Sequence, residues 1–166
     1  MKNEDLIDQL VKFLREIDIP VQFGTVDEST ILPGLVFRKG ILIIDQERLN
    51  YPGDLLHEAG HYAVKLPSER ENLNDDMDSD PGEEMAAIAW SIAAAVKIGI
   101  PPEVVLHDEG YKGGGDYLIE PLLEGNGPGT PLLDWYGMSD GFPNMKRWLR
   151  EDPDLRDVTD NPIQEH

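Results

Sequence analysis

The chain has 166 residues, 40% of them apolar, and carries 33 Asp and Glu against 14 Lys and Arg, for a net charge of −19. That length suits one domain able to bury its own core, and that charge repels phosphate backbones and anionic lipid, which argues against nucleic acid and membrane surfaces as partners. With no cysteine in the sequence, disulfides and thiolate metal sites are excluded, and any zinc must sit on His and carboxylate.

Leu6, Ile7, Leu10, Val11, Leu14 and Ile17 recur at helical spacing, so the first seventeen residues are expected to form an amphipathic helix ended before Pro20. The start of the chain lacks the apolar core of a signal peptide, and the expectation is a soluble, cytoplasmic protein. Val21 to Val26 reads as a short strand. Leu35-Val36-Phe37 and Ile41 to Ile44 flank Arg38-Lys39-Gly40, which predicts a hairpin. A helix should begin between Asn50 and Asp54, where Asn, Pro and Asp offer a cap and a first-turn proline, and stop before Pro67.

Ser68 to Asp80 is polar and acidic and reads as a loop. It fails as a calcium loop, because Pro81 and Ala87 stand where an EF-hand needs Gly and Glu. From Pro81 to Ile98 the sequence is Ala-rich and apolar nearly all round, the pattern of a helix at the centre of a domain. Gly99 and Pro101-Pro102 end it. Gly113-Gly114-Gly115 and Gly125 to Pro131 mark loops, with a short helix between them. Asn144 to Arg150 is expected to form one last helix. Trp90, Trp135 and Trp148 are expected in the core. The organisation predicted is a single domain over residues 1–150 and a loosely ordered acidic tail over 151–166. The fold class is α+β, a small mixed or antiparallel sheet packed on the helix that carries His57 and His61 and on the buried Ala-rich helix.

The chemistry lies in His57-Glu58-Ala59-Gly60-His61. Histidines four apart on a helix project from one face and can share a metal ion. Glu58, rotated by roughly 100°, stands beside that metal as a general base, while zinc makes water acidic and polarises a carbonyl. A catalytic zinc needs a third protein ligand and an open fourth position. Glu83 and Glu84, opening the Ala-rich helix, are the first candidates, and Asp134 and His107 are the others. Asp134 lies in a segment similar to the G-T-x-x-D-x-x-Y-G run of deuterolysin-type zinc proteases, one residue out of register. A metzincin arrangement fails, because Val64 and Pro67 occupy its Gly and His positions.

The order of strand, H-E-x-G-H helix, acidic loop and Ala-rich helix opening with Glu resembles the ImmA/IrrE-type metallopeptidases over about residues 40 to 101. Glu84-Met85-Ala86-Ala87-Ile88-Ala89-Trp90 follows in outline that family's E-A-N-x-F-A-A pattern, with Ala86 in place of Asn. Ile98-Gly99-Ile100-Pro101 replaces the family's Leu-Leu-Met-Pro. The resemblance implies a zincin-like domain with Glu84 as third ligand, one Zn2+ per chain, and hydrolysis of a peptide or protein substrate. It also implies a His, Tyr or Arg that steadies the oxyanion, for which His107 and Tyr111 are the candidates. The rival expectation is a zincin-fold regulatory or binding protein with a metal site and little turnover.

Overall fold

A computed structural model describes residues 3–27, 32–74, 80–107 and 116–153. Among these residues the fold is α+β, with six α-helices and a three-stranded mixed sheet. Helix α1 (Asn3–Glu16) buries Ile7, Leu10, Val11, Phe13 and Leu14, the face its spacing predicts. Leu10 and Leu14 are fully buried, and each such side chain contributes about 2 kcal/mol.

Strands β1 (Val21–Phe23), β2 (Leu35–Arg38) and β3 (Ile41–Ile44) run in the order β1-β3-β2. The expected hairpin forms with Leu35 opposite Ile44 and Arg38 opposite Ile41. Lys39 and Gly40 at its tip have φ of 49° and 78°, the left-handed pair whose twist matches a two-residue hairpin loop. Strand β1 joins β3 in parallel, which makes the sheet mixed. It is shorter than the Val21 to Val26 expected. Beyond Gly24 the chain leaves the ladder, and the Val26 amide donates to the buried carboxylate of Asp45 at 3.0 Å.

Helices α2 (Asp54–Val64) and α4 (Pro81–Ile98) make the most extensive helix pair of the fold. Between them a single turn, α3 (Pro67–Arg70), occupies the start of the stretch expected to be loop, with Pro67 in its first turn. Gly53, not a side chain, precedes α2 at the N-cap. Asp80 caps α4, its carboxylate accepting the Glu83 amide at 2.7 Å, and left-handed Gly99 ends it at φ 90°. From Ala86 to Ala95 every residue of α4 is buried, so its apolar character all round is used on every side.

The closeness of α2 and α4 comes from small residues. A Cβ on Gly60 would lie 2.7 Å from the Ala87 carbonyl oxygen, inside contact distance. The roughly 1 kcal/mol that Gly costs a helix is thereby offset by an approach no larger residue permits.

The short helix expected before Gly125 is α5 (Ile119–Leu123), entered through a 3-10 turn at Asp116–Leu118. Helix α6 (Thr130–Trp135) begins where loop was expected, Pro131 sitting in its first turn. It turns Thr130 and Leu133 inward, which leaves Trp135 outward and 74% exposed, contrary to its expected place in the core. Trp90 is fully buried in the core, and the partly buried Trp148 packs against it edge to face at 5.6 Å.

Asn144 to Arg150 is not helical. Its backbone finds partners across the fold instead of along itself. The Lys146 and Arg147 amides go to the Met138 carbonyl, the Arg150 amide goes to the Ala63 carbonyl, and the Trp148 carbonyl accepts the Trp90 indole N–H at 2.9 Å. Of the expected tail, residues 154–166 lie outside the described residues. No helix among the described residues is long and apolar enough to cross a membrane.

Candidate metal centre

One helical turn brings His57 and His61 together on α2. Their Nε2 atoms are 3.3 Å apart and their rings meet edge to face, with centroids 4.9 Å apart. His57, Glu58 and His61 each offer a ligand atom within 4.8 Å of the other two, a group able to hold a metal ion.

The second half of the site comes from the first turn of α4, which Asp80 and Pro81 fix. Adjacent positions on a helix diverge by roughly 100°, so Glu83 and Glu84 cannot face the same way. The two oxygens of Glu84 reach the two imidazoles, at 3.1 Å from His57 Nε2 and 2.9 Å from His61 Nε2. Glu83 sits behind His61, its Oε2 3.1 Å from Nδ1. Its Oε1 accepts from Lys65 Nζ at 2.7 Å, and the Lys65 side chain is only 5% exposed.

These contacts set the ionisation of the cluster. Burial works against a charged His61. Its hydrogen bonds to Glu83 and Glu84 and the charges of Glu58 and Glu84 outweigh that and push its pKa up to about 9. Burial likewise works against charge on Glu84, yet hydrogen bonds from His57 and His61 hold it well below the usual carboxylate range. Glu83 is lowered too, burial being overcome by His61 and Lys65.

The donor set fits a small divalent cation. Two nitrogens bound to one tetrahedral zinc lie about 3.3 Å apart, which is the His57–His61 separation. The Glu84 contacts are a little shorter than that edge and close the triangle. Two imidazoles and carboxylate without thiolate is a donor set that suits zinc.

The other candidates have different occupations. His107 Nε2 pairs with Asp54 at 2.8 Å, and its ring stacks on Tyr51 with centroids 4.2 Å apart. Asp54 lies one helical turn before His57, so His107 is held beside the motif and is not part of the two-histidine cluster. Its Nδ1 is buried and has no hydrogen-bond partner among the described residues. Asp134 is exposed and its carboxylate accepts from Ser139 Oγ. Tyr111 lies outside the described residues.

Sequence reasoning missed Lys65. The signal was available: it stands four residues after His61, at the end of the same helix, with a Glu pair downstream. Comparison with protein-family models, with curated proteins and with solved structures returned no match.

Proposed function

We propose that this chain is a zinc-dependent metallopeptidase with a zincin-like fold, in which His57, His61 and Glu84 are the metal ligands and Glu58 is the general base. The observation that carries the reading is the triangle of His57 Nε2, His61 Nε2 and the Glu84 carboxylate, with sides of 2.9 to 3.3 Å. It sets three donor groups from two helices around one point, the arrangement a metal ligand set requires. The motif order that resembles the ImmA/IrrE-type peptidases supports the same assignment. Glu58 offers a carboxylate oxygen within 4.8 Å of both histidines; Glu84 touches both Nε2 atoms and Glu83 holds Nδ1 of His61, so the role of base is assigned to Glu58.

Zinc held there supplies a Lewis acid that makes water acidic and polarises a carbonyl. Glu58 takes the proton of the attacking water on a carboxylate oxygen and delivers it to the departing amine nitrogen. His107, held by Asp54, is the candidate for steadying the negative charge that develops on the carbonyl oxygen. The net charge favours a neutral or cationic peptide over an anionic one.

The test is metal content and peptide cleavage together. Purified protein should carry one zinc, lost or much weakened in His61→Ala and Glu84→Ala. Glu58→Gln should keep the zinc and lose cleavage by roughly two orders of magnitude or more. Cleavage that survives in Glu58→Gln would remove the base from the mechanism. A protein that binds zinc but cleaves no peptide would instead be a metal-bearing regulatory domain.

A further inference from the structure

The candidate centre has a back as well as a front. Lys65 is the C-cap residue that follows α2, four positions after His61, and Glu83 crosses from α4 to bridge the two side chains. Its two oxygens are divided, one 2.7 Å from Lys65 Nζ and the other 3.1 Å from His61 Nδ1. Nδ1 and Nε2 lie on opposite sides of the imidazole, so Glu83 holds the ring from behind while Nε2 meets His57 and Glu84. Lys65 is buried, and a buried ammonium persists only when paired. That pairing with Lys65 fixes where the Glu83 carboxylate must stand.

We infer that Glu83, anchored by Lys65, is a positioning residue that holds the Nδ1–H of His61, fixing the tautomer in which Nε2 offers its lone pair to the metal. This rests on the metal reading above and goes beyond it, because neither Glu83 nor Lys65 is a ligand or touches substrate. A carboxylate behind a ligating imidazole fixes the ring's orientation and makes the ligating nitrogen more basic, and its loss weakens metal binding by roughly 10- to 100-fold. The rival account, in which the Lys65–Glu83 pair only ties α2 to α4, predicts a loss of stability with no change in metal affinity.

The experiment measures Zn2+ affinity against a chromophoric chelator, and the visible spectrum of Co2+-loaded protein, for wild type, Glu83→Gln and the double variant Lys65→Met with Glu83→Leu. The double variant leaves no unpaired buried charge, and replacing a buried pair by apolar residues of similar size is often neutral for folding. Thermal melts check that it folds. It should bind Zn2+ roughly 10- to 100-fold more weakly with an altered Co2+ spectrum. Glu83→Gln keeps an acceptor for Nδ1–H and should lose only a few-fold, with its spectrum retained. Equal affinity and an unchanged spectrum in the folded double variant would overturn this inference and leave the metal site standing. Wild-type protein that binds no Zn2+ would overturn both. Should the double variant fail to fold, imidazole proton exchange in zinc-loaded wild type decides: a slowly exchanging Nδ1–H on His61 supports the role of Glu83, and a rapidly exchanging one refutes it.

Discussion

His61 keeps its proton to about 9 against the pull of burial, because Glu83 and Glu84 accept from its two ring nitrogens. A folded-state pKa above the ordinary histidine value of about 6.5 gives stability that is fully present below that value and lost as pH rises through about 9. The lowered carboxylates act in the opposite sense, their contribution being present above the ordinary carboxylate pKa and lost as pH falls through the lowered value. These are the same contacts seen from either partner, so they count once, on the order of a few kcal/mol. In thermal melts of metal-free protein, the advantage of wild type over His61→Gln should therefore shrink between about pH 6.5 and 9. An advantage that widens over that range would show the sign to be wrong. Zinc affinity should move the other way and rise with pH, because each ion displaces the Nε2 proton. At this scale His57, Glu58 and His61 were legible in the sequence, since helical spacing alone puts the two histidines on one face with Glu58 beside them. Which of Glu83 and Glu84 meets the histidines was not derivable from spacing. It depends on the rotation of α4 against α2, and only the family resemblance favoured Glu84. Lys65 went unnoticed because its partner lies on another helix.

Between elements, the decisive contact is the one at Gly60. Alanine there improves helix propensity by about 1 kcal/mol, but its methyl would sit 2.7 Å from the Ala87 carbonyl oxygen. Relief requires α2 and α4 to move apart, the very helices that carry the histidines and Glu84. Gly60→Ala should destabilise by roughly 1–3 kcal/mol and weaken zinc binding as well, read by urea unfolding and metal titration. A more stable variant would mean the helices yield freely and their spacing is not what holds the site. Helices α1 and α4 and the β2–β3 hairpin were legible because each has a local cause: a periodic apolar face, a Pro start with a Gly stop, a Lys-Gly turn. Helix α6 was obscured by Gly127-Pro128-Gly129, which reads as loop until Pro131 is seen in the first turn of a helix. The segment 144–150 carried a helix-like apolar pattern, but its backbone bonds to Ala63, Trp90 and Met138, partners no local pattern announces.

For the molecule as a whole, 33 acidic side chains against 14 basic ones make compaction work against its own charge. Raising NaCl from about 10 mM to about 0.5 M shortens the Debye length from roughly 30 Å to a few ångström. The melting temperature should rise by a few degrees, about 2–5 °C; a fall would mean that specific ion pairs outweigh the general repulsion. The same whole-molecule view gives the 144–150 segment a temporal meaning. The Ala63 carbonyl takes the Arg150 amide and the Val64 carbonyl takes the Arg150 side chain, 86 positions downstream of Val64, while Trp148 settles against Phe13 and Trp90. On a ribosome releasing roughly 5–20 residues per second, that separation amounts to about 4 to 17 s of synthesis. Throughout that interval both histidines have already been synthesised, and the strut that closes the end of their helix is still being made.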